Sequence, residues 1–255
     1  MATTRENGSL YTNIQNNIAT IEFGHPASNS FPGELLARLT KELLSVGSNN
    51  DVSVIVLKSE GEKAFCAGAS FDELVAVSNL NEGKQFFSGF ANVINAIRTC
   101  GKLIVGRIQG KTVGGGVGIA AACDYVLATE SASIKLSEFT IGIGPFVIEP
   151  AVSRKIGVSG TAELTLDATS WKNAYWAKEK GLYAKVLENQ KELDKEIDIL
   201  TSKLASYNPM ALAEMKKALW KGTENWSALL EARAAVSGEL VLSDFTKKAL
   251  SKFTK

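Results

Sequence analysis

Apolar and polar positions divide this chain into a strand-rich front and a helix-rich back. "LYTNIQNNIATIEF" reads as two short strands around the polar Gln15-Asn16-Asn17, which predicts a hairpin. "HPASNSFP" is a loop, and Pro32 opens a helix over "GELLARLTKELLSVG", where Leu35, Leu36, Leu39, Leu43 and Leu44 form one apolar stripe. "VSVIVLKS" has the unbroken β-branched run of a strand covered on both faces. "GEKAFCAGAS" then turns through glycine into a short helix near "FDELVAV". After the amphipathic helix "GKQFFSGFANVINAIRTC" come a second buried strand, "KLIVGRIQG", a glycine stretch with its helix, and the strands "DYVLAT" and "ASIKL".

"VLKSE" at residues 56–60 echoes "VLATE" at 126–130, each followed by a short turn and another strand, which suggests a strand–strand–helix unit stacked on itself. From Trp171 onward, "WKNAYWAKEKGL", "KELDKEIDILTSKLAS", "NPMALAEMKKALWKG" and "SALLEARAAVSGELVLS" all carry helical apolar spacing. The expected architecture is an α/β core over residues 1–195 and a helical C-terminal region over 196–255.

Composition narrows the function. The 255 residues suit one large domain, and 45% hydrophobic with 22% charged residues is ordinary for a globular protein. With 28 basic and 27 acidic residues the net charge is +1, without the basic excess of a nucleic-acid binder. Lys247, Lys248, Lys252 and Lys255 read as a solvated helix face. Cys66, Cys100 and Cys123 lack CxxC spacing, which argues against a disulfide framework or a metal site. The opening "MATTRENGSLYTNI" has no apolar core for a signal peptide, and no run of about 18 apolar residues reads as membrane-spanning. A reducing cytoplasm is the expected setting.

The candidate chemistry centres on "VGGGVGIAAACDYV", residues 113–126. Taken alone, its glycines fit three readings. They permit close helix–sheet packing. They resemble a dinucleotide-binding turn, for which Glu138 stands about where an acidic residue belongs, although GGGVG is not GxGxxG. Or they expose the unpaired N–H groups at a helix start to an oxygen that gains negative charge, where one such donor is worth about 2.7–4 kcal/mol. "FCAGASFDEL" offers a second such turn at Ala67, Gly68 and Ala69.

"AFCAGASFDEL" together with "IQGKTVGGGVGIAAACDYVLATESASIKLSEFTIGIGP" resembles the crotonase superfamily, the enoyl-CoA hydratases and isomerases, and the likeness runs through "RKIG", "AKEKGL" and the helical tail. The resemblance implies a ClpP-like spiral of stacked ββα units and a C-terminal helical region that assembles trimers, or dimers of trimers. It implies an acyl-CoA thioester substrate and no separate cofactor or metal, with CoA part of the substrate. It assigns the oxyanion hole to the backbone N–H groups of Ala69 and Gly115. Ala67, Ala69 and Phe71 are placed along CoA, and Gly114 and Phe146 beside the substrate.

Departures from the family pattern bear on the reaction. Matching "GGGVGIA" to GGGxELA puts Gly118 where hydratases carry their first catalytic glutamate, while Glu138, 20 residues on, matches the second. A lone carboxylate suits moving a double bond from the 3,4 to the 2,3 position better than adding water. Phe139, Ile141 and Phe146 are candidates to raise its pKa. "GIGPFVIEP" is also similar to the loop of Δ3,Δ2-enoyl-CoA isomerases. The alternatives are a hydratase in which Glu149 or water replaces the missing acid, and a non-catalytic acyl-CoA-binding scaffold. Glu149 is expected exposed and paired with Arg154 or Lys155. His25 reads as a loop turn, with an edge contact to ligand as the alternative, and Trp171, Trp176, Trp220 and Trp226 as packing residues of the tail. Lys216 and Lys217 either meet a CoA phosphate or lie on a solvated helix face.

Overall fold

The structure is a computed structural model, which describes residues 7–252. The first six residues, part of the segment read above as lacking a leader, and Lys255 of the terminal lysine group lie outside the described residues. Strands β1 (Ser9–Gln15) and β2 (Ile18–Gly24) pair antiparallel through a two-residue turn. Asn16 and Asn17 there have φ of 51° and 61°, a left-handed pair whose twist matches the flanking strands and which asparagine tolerates.

Helix α1 (Gly33–Gly47) follows, and then three strand–strand–helix units. The first is β3 (Val54–Ser59) and β4 (Ala64–Cys66), leading to α2 (Phe71–Ala76) and α3 (Leu80–Thr99). The second is β5 (Leu103–Ile108), β6 (Lys111–Val113) and α4 (Gly115–Ala122). The third is β7 (Tyr125–Thr129) and β8 (Ser133–Lys135), a 3₁₀ turn (Glu138–Ile141) and α5 (Glu149–Leu166), which breaks at Gly157. The chain ends with β9 (Lys172–Asn173), α6 (Ala174–Glu179), β10 (Lys185–Leu187), α7 (Gln190–Ala205), α8 (Pro209–Leu219), α9 (Trp226–Leu240) and α10 (Asp244–Leu250).

Each unit sends its first strand to a six-stranded sheet of order β1-β2-β3-β5-β7-β10 and its second to a four-stranded sheet of order β4-β6-β8-β9. Within both sheets the units pair parallel. The echo at 56–60 and 126–130 therefore falls on equivalent strands, β3 and β7.

Strand β3 is apolar at successive positions because both its faces are covered. Ile55 and Leu57 join the main core with Leu39 of α1 and Ile94 of α3. Val54 and Val56 join Val105 and Leu127 beneath Leu193 and Ile197 of α7. Helix α7 runs unbroken across 195/196, so no gap in the chain marks the expected boundary there.

Helices α3 and α9 touch backbone to backbone. A Cβ on Gly83 would stand 2.7 Å from the Gly238 carbonyl oxygen, and one on Gly238 2.5 Å from the Lys84 nitrogen. That crossing fixes α9 against α3. Among the described residues no helix is long and apolar enough to cross a membrane.

Candidate active site

Two loops reach one cavity of about 460 Å³. The first leaves β4 through Gly68, at φ 94°, and enters α2, whose N-cap Ser70 accepts from the Glu73 N–H at 3.4 Å. Phe31 bridges this loop by donating to the Gly68 carbonyl (2.8 Å) and accepting from the Ser70 N–H (2.9 Å). That pattern passes over the N–H of Ala69.

The second loop leaves β6 at Gly114, with φ 54° and ψ −121°, a conformation that requires glycine. The Gly114 N–H donates to the Lys135 carbonyl at 3.0 Å, and its own carbonyl accepts from Val117 (2.8 Å) and Gly118 (3.3 Å). Gly115 is the first residue of α4, so its N–H has no partner within the helix and sits at the positive end of the helix dipole. A Cβ on Gly115 would fall 2.2 Å from the Phe90 ring, so the ring rests directly on the bare backbone.

Glu138 opens the 3₁₀ turn, and its carbonyl accepts from the Ile143 N–H at 3.2 Å. Its carboxyl group packs on the glycine loop: a Cβ on Gly114 would lie 3.0 Å from Glu138 Oε1. The residue as a whole is half-buried, but Oε2 is shut off from solvent with no hydrogen-bond partner among the described residues. Burial raises the carboxyl pKa from 4.5 to about 7, against a smaller lowering by the backbone amides of Glu138 and Ser137. Ile141 and Phe146 supply apolar surroundings from the cavity wall, but Phe139, expected to do the same, is 45% exposed and absent from that wall. The side chains of a 3₁₀ turn diverge, so Phe139 leaves the cavity where its neighbour Glu138 enters it.

The place of a second carboxylate is occupied. A Cβ on Gly118 would stand 2.4 Å from Ile148 Cγ2 and 2.5 Å from Ile148 Cβ. Ile148, from the loop before α5, lines the cavity and fills the volume that a longer residue at 118 would need.

Ala67, Ala69, Phe71, Gly114, Gly115, Glu138 and Phe146 all line this cavity, whereas Glu149 does not. Glu149 is the first residue of α5, where its Oε1 accepts from Ser153 Oγ at 2.6 Å and its Oε2 lies 3.9 Å from the Arg233 guanidinium. The expected partners are engaged elsewhere: Arg154 stacks 4.5 Å over Trp220, and Lys155 donates to the Asp124 carbonyl at 3.0 Å.

Lys216 is neither a phosphate ligand nor part of a solvated face. It is 2% exposed and its Nζ donates to Asp124 Oδ2 at 2.6 Å, while Trp220 Nε1 donates to Oδ1 at 2.7 Å. Lys217 is exposed beside Glu214 (2.6 Å). Trp220 and Trp226 pack edge to face as expected, but Trp171 is 43% exposed, between Lys111 and Lys135. His25 lies in its own turn, with Nδ1 3.2 Å from Ser30 Oγ. Cys66 packs under Gly116, and burial pushes its thiol up to about 12, so it is no nucleophile.

Sequence reasoning passed over Phe90, Leu74 and Ile148. Phe90 and Leu74 sit on apolar helix stripes and so look like ordinary core. Ile148 acquires its role only by meeting Gly118 across the fold.

Stacked ββα units with two glycine loops over a shared cavity define a crotonase fold. The chain belongs to the enoyl-CoA hydratase/isomerase family, whose model matches residues 13–254. It is 26% identical over 239 residues to a peroxisomal Delta(3,5)-Delta(2,4)-dienoyl-CoA isomerase of Arabidopsis thaliana, covering 88% of this chain and 84% of that protein. It is likewise 26% identical over 239 residues to a short-chain-enoyl-CoA hydratase of Clostridium acetobutylicum, covering 92% and 90%. In fold it matches the crystal structure of an enoyl-CoA hydratase from Bacillus halodurans, with a TM-score of 0.88 at 24% identity over 95% of this chain and 99% of that one.

Proposed function

We propose that this protein isomerises the double bond of an enoyl-CoA thioester, with Glu138 as the only proton carrier. The N–H groups of Ala69 and Gly115 hold the thioester oxygen as it becomes an enolate. Glu138, ionised, takes a proton from the carbon beside the carbonyl, the electrons moving into the C–C–O system. It then returns the proton two carbons further on, and the double bond settles next to the thioester. A carboxyl pKa of about 7 suits both halves, since a group must accept and release a proton at similar cost.

The observation that carries the reading is Ile148 in the space beside Gly118. With that volume apolar and Glu149 outside the cavity, a water molecule would have one carboxylate to orient it rather than two. The names of relatives support both activities, one an isomerase and another a hydratase. Incubation with a 3-enoyl-CoA and a 2-enoyl-CoA separates them. Isomerisation predicts migration of the double bond in the first and no hydration of the second; rapid hydration of the second overturns the proposal. Binding of both without turnover would instead mark a scaffold.

Self-association into a trimer or a dimer of trimers belongs to the same proposal. Exposed apolar side chains at Val158, Leu166 and Met210 support it, because a monomer leaves them in water. Light scattering tests the mass.

A further inference from the structure

The cavity holds one feature that proton transfer does not use. Ser237 of α9 lines it, is 1% exposed, and has its Oγ buried with no hydrogen-bond partner among the described residues. Hydroxyls inside helices ordinarily donate to the carbonyl one turn back. Thr40 does so to Leu36 (2.8 Å), Ser88 to Lys84 (2.7 Å) and Thr201 to Ile197 (2.9 Å). Ser237 does not, and a buried hydroxyl left unpaired is costly.

Its position along the cavity follows from α3. Phe90 rests on Gly115 at the end where the thioester oxygen is proposed to sit. Gly83 lies seven residues earlier, about 10 Å along the helix axis, and is the residue that touches Gly238, next to Ser237. Phe86 and Phe87 line the cavity between these two levels. Ser237 thus marks the end remote from the thioester, beyond the Phe86 and Phe87 rings.

Charge separates the candidate ligands. Lys135, which also lines the cavity, lies over the Trp171 ring (5.6 Å) and accepts the Gly114 N–H at its carbonyl, beside the glycine loop. Arg233, one turn before Ser237, is not a lining residue; its guanidinium lies 3.9 Å from Glu149, and its Nε is buried without a hydrogen-bond partner among the described residues. A carboxylate buried at the Ser237 end would meet no cation in the cavity wall, and Arg233 behind it already faces Glu149, so its desolvation would be poorly offset.

We infer that Ser237 selects acyl chains carrying a neutral oxygen function, a hydroxyl or carbonyl, several carbons from the thioester. The inference rests on the thioester reading above, and binding alone tests it, using the unreactive pair hexanoyl-CoA and ω-hydroxyhexanoyl-CoA. The ratio of their dissociation constants is expected to shift about fivefold against the hydroxylated thioester in Ser237→Ala, the size of one neutral hydrogen bond. Ser237→Thr, which keeps the hydroxyl, retains the wild-type preference. The melting temperature of Ser237→Ala stays level or rises. An unchanged ratio in Ser237→Ala overturns the inference and leaves thioester binding intact. A lower melting temperature also overturns it, by showing the hydroxyl bonded within the protein. Failure of the wild-type protein to bind either thioester overturns both readings.

Discussion

Replacing Glu138 with Gln keeps the side chain's shape and removes its ionisation, which isolates the charge that the cavity shelters. Burial lifts the folded carboxyl to a pKa of about 7 from the ordinary 4.5. Between those values the native state holds a proton that the unfolded chain has released, so stability falls as pH rises through this window. At about 1.4 kcal/mol per pKa unit, the ionised group destabilises the fold by about 3 kcal/mol at pH 8 and by almost nothing at pH 4. Urea unfolding of both proteins at these two pH values measures the difference. The Gln variant gains about 3 kcal/mol on the wild-type protein from pH 4 to pH 8, while its turnover is lost. The same ionisation makes wild-type kcat/KM rise with pH through about 7. A stability gap that does not change with pH would refute the claim that this carboxyl is held in an apolar pocket.

Gly118→Ala drives a methyl group into Ile148 and is expected to lower stability by about 1–3 kcal/mol; thermal melts of Gly118→Ala with and without Ile148→Ala, which removes the nearest atom, Cγ2, show whether the contact is responsible. Lys216→Met strands the Asp124 carboxylate in the interior and is expected to cost about 3–5 kcal/mol. Adding Asp124→Asn recovers part of that loss, as read by urea unfolding. Gly83→Ala forces α3 from α9, and faster amide exchange in α9 is the expected sign.

Much of the fold was legible in the sequence because its signals are local. The apolar run of β3 encodes a strand covered on both faces, and Asn16-Asn17 encodes a tight hairpin. The glycine loop and Glu138 were legible through their resemblance to a family pattern, although the turn that carries Glu138 was not, since "SEFTI" alternates like a strand end.

What escaped depends on contacts between distant segments. Lys216 looked solvated because of Lys217, yet it stands four residues from both Leu212 and Trp220, on the inward line of α8. Its partner Asp124 is 92 residues away. Likewise nothing within "GPFVIEP" announces that Ile148 fills the place beside Gly118, and nothing around Glu149 announces that it faces the distant Arg233 instead of the neighbouring Arg154 or Lys155.

The account stands on one acid carrying a proton between two carbons, and labelling follows that proton directly. A 3-enoyl-CoA deuterated at the carbon next to the carbonyl, turned over in ordinary water, is predicted to yield a 2-enoyl-CoA with part of the label two carbons further along and no added water. A hydrated product, or the same transfer of label by Glu138→Gln, would contradict it.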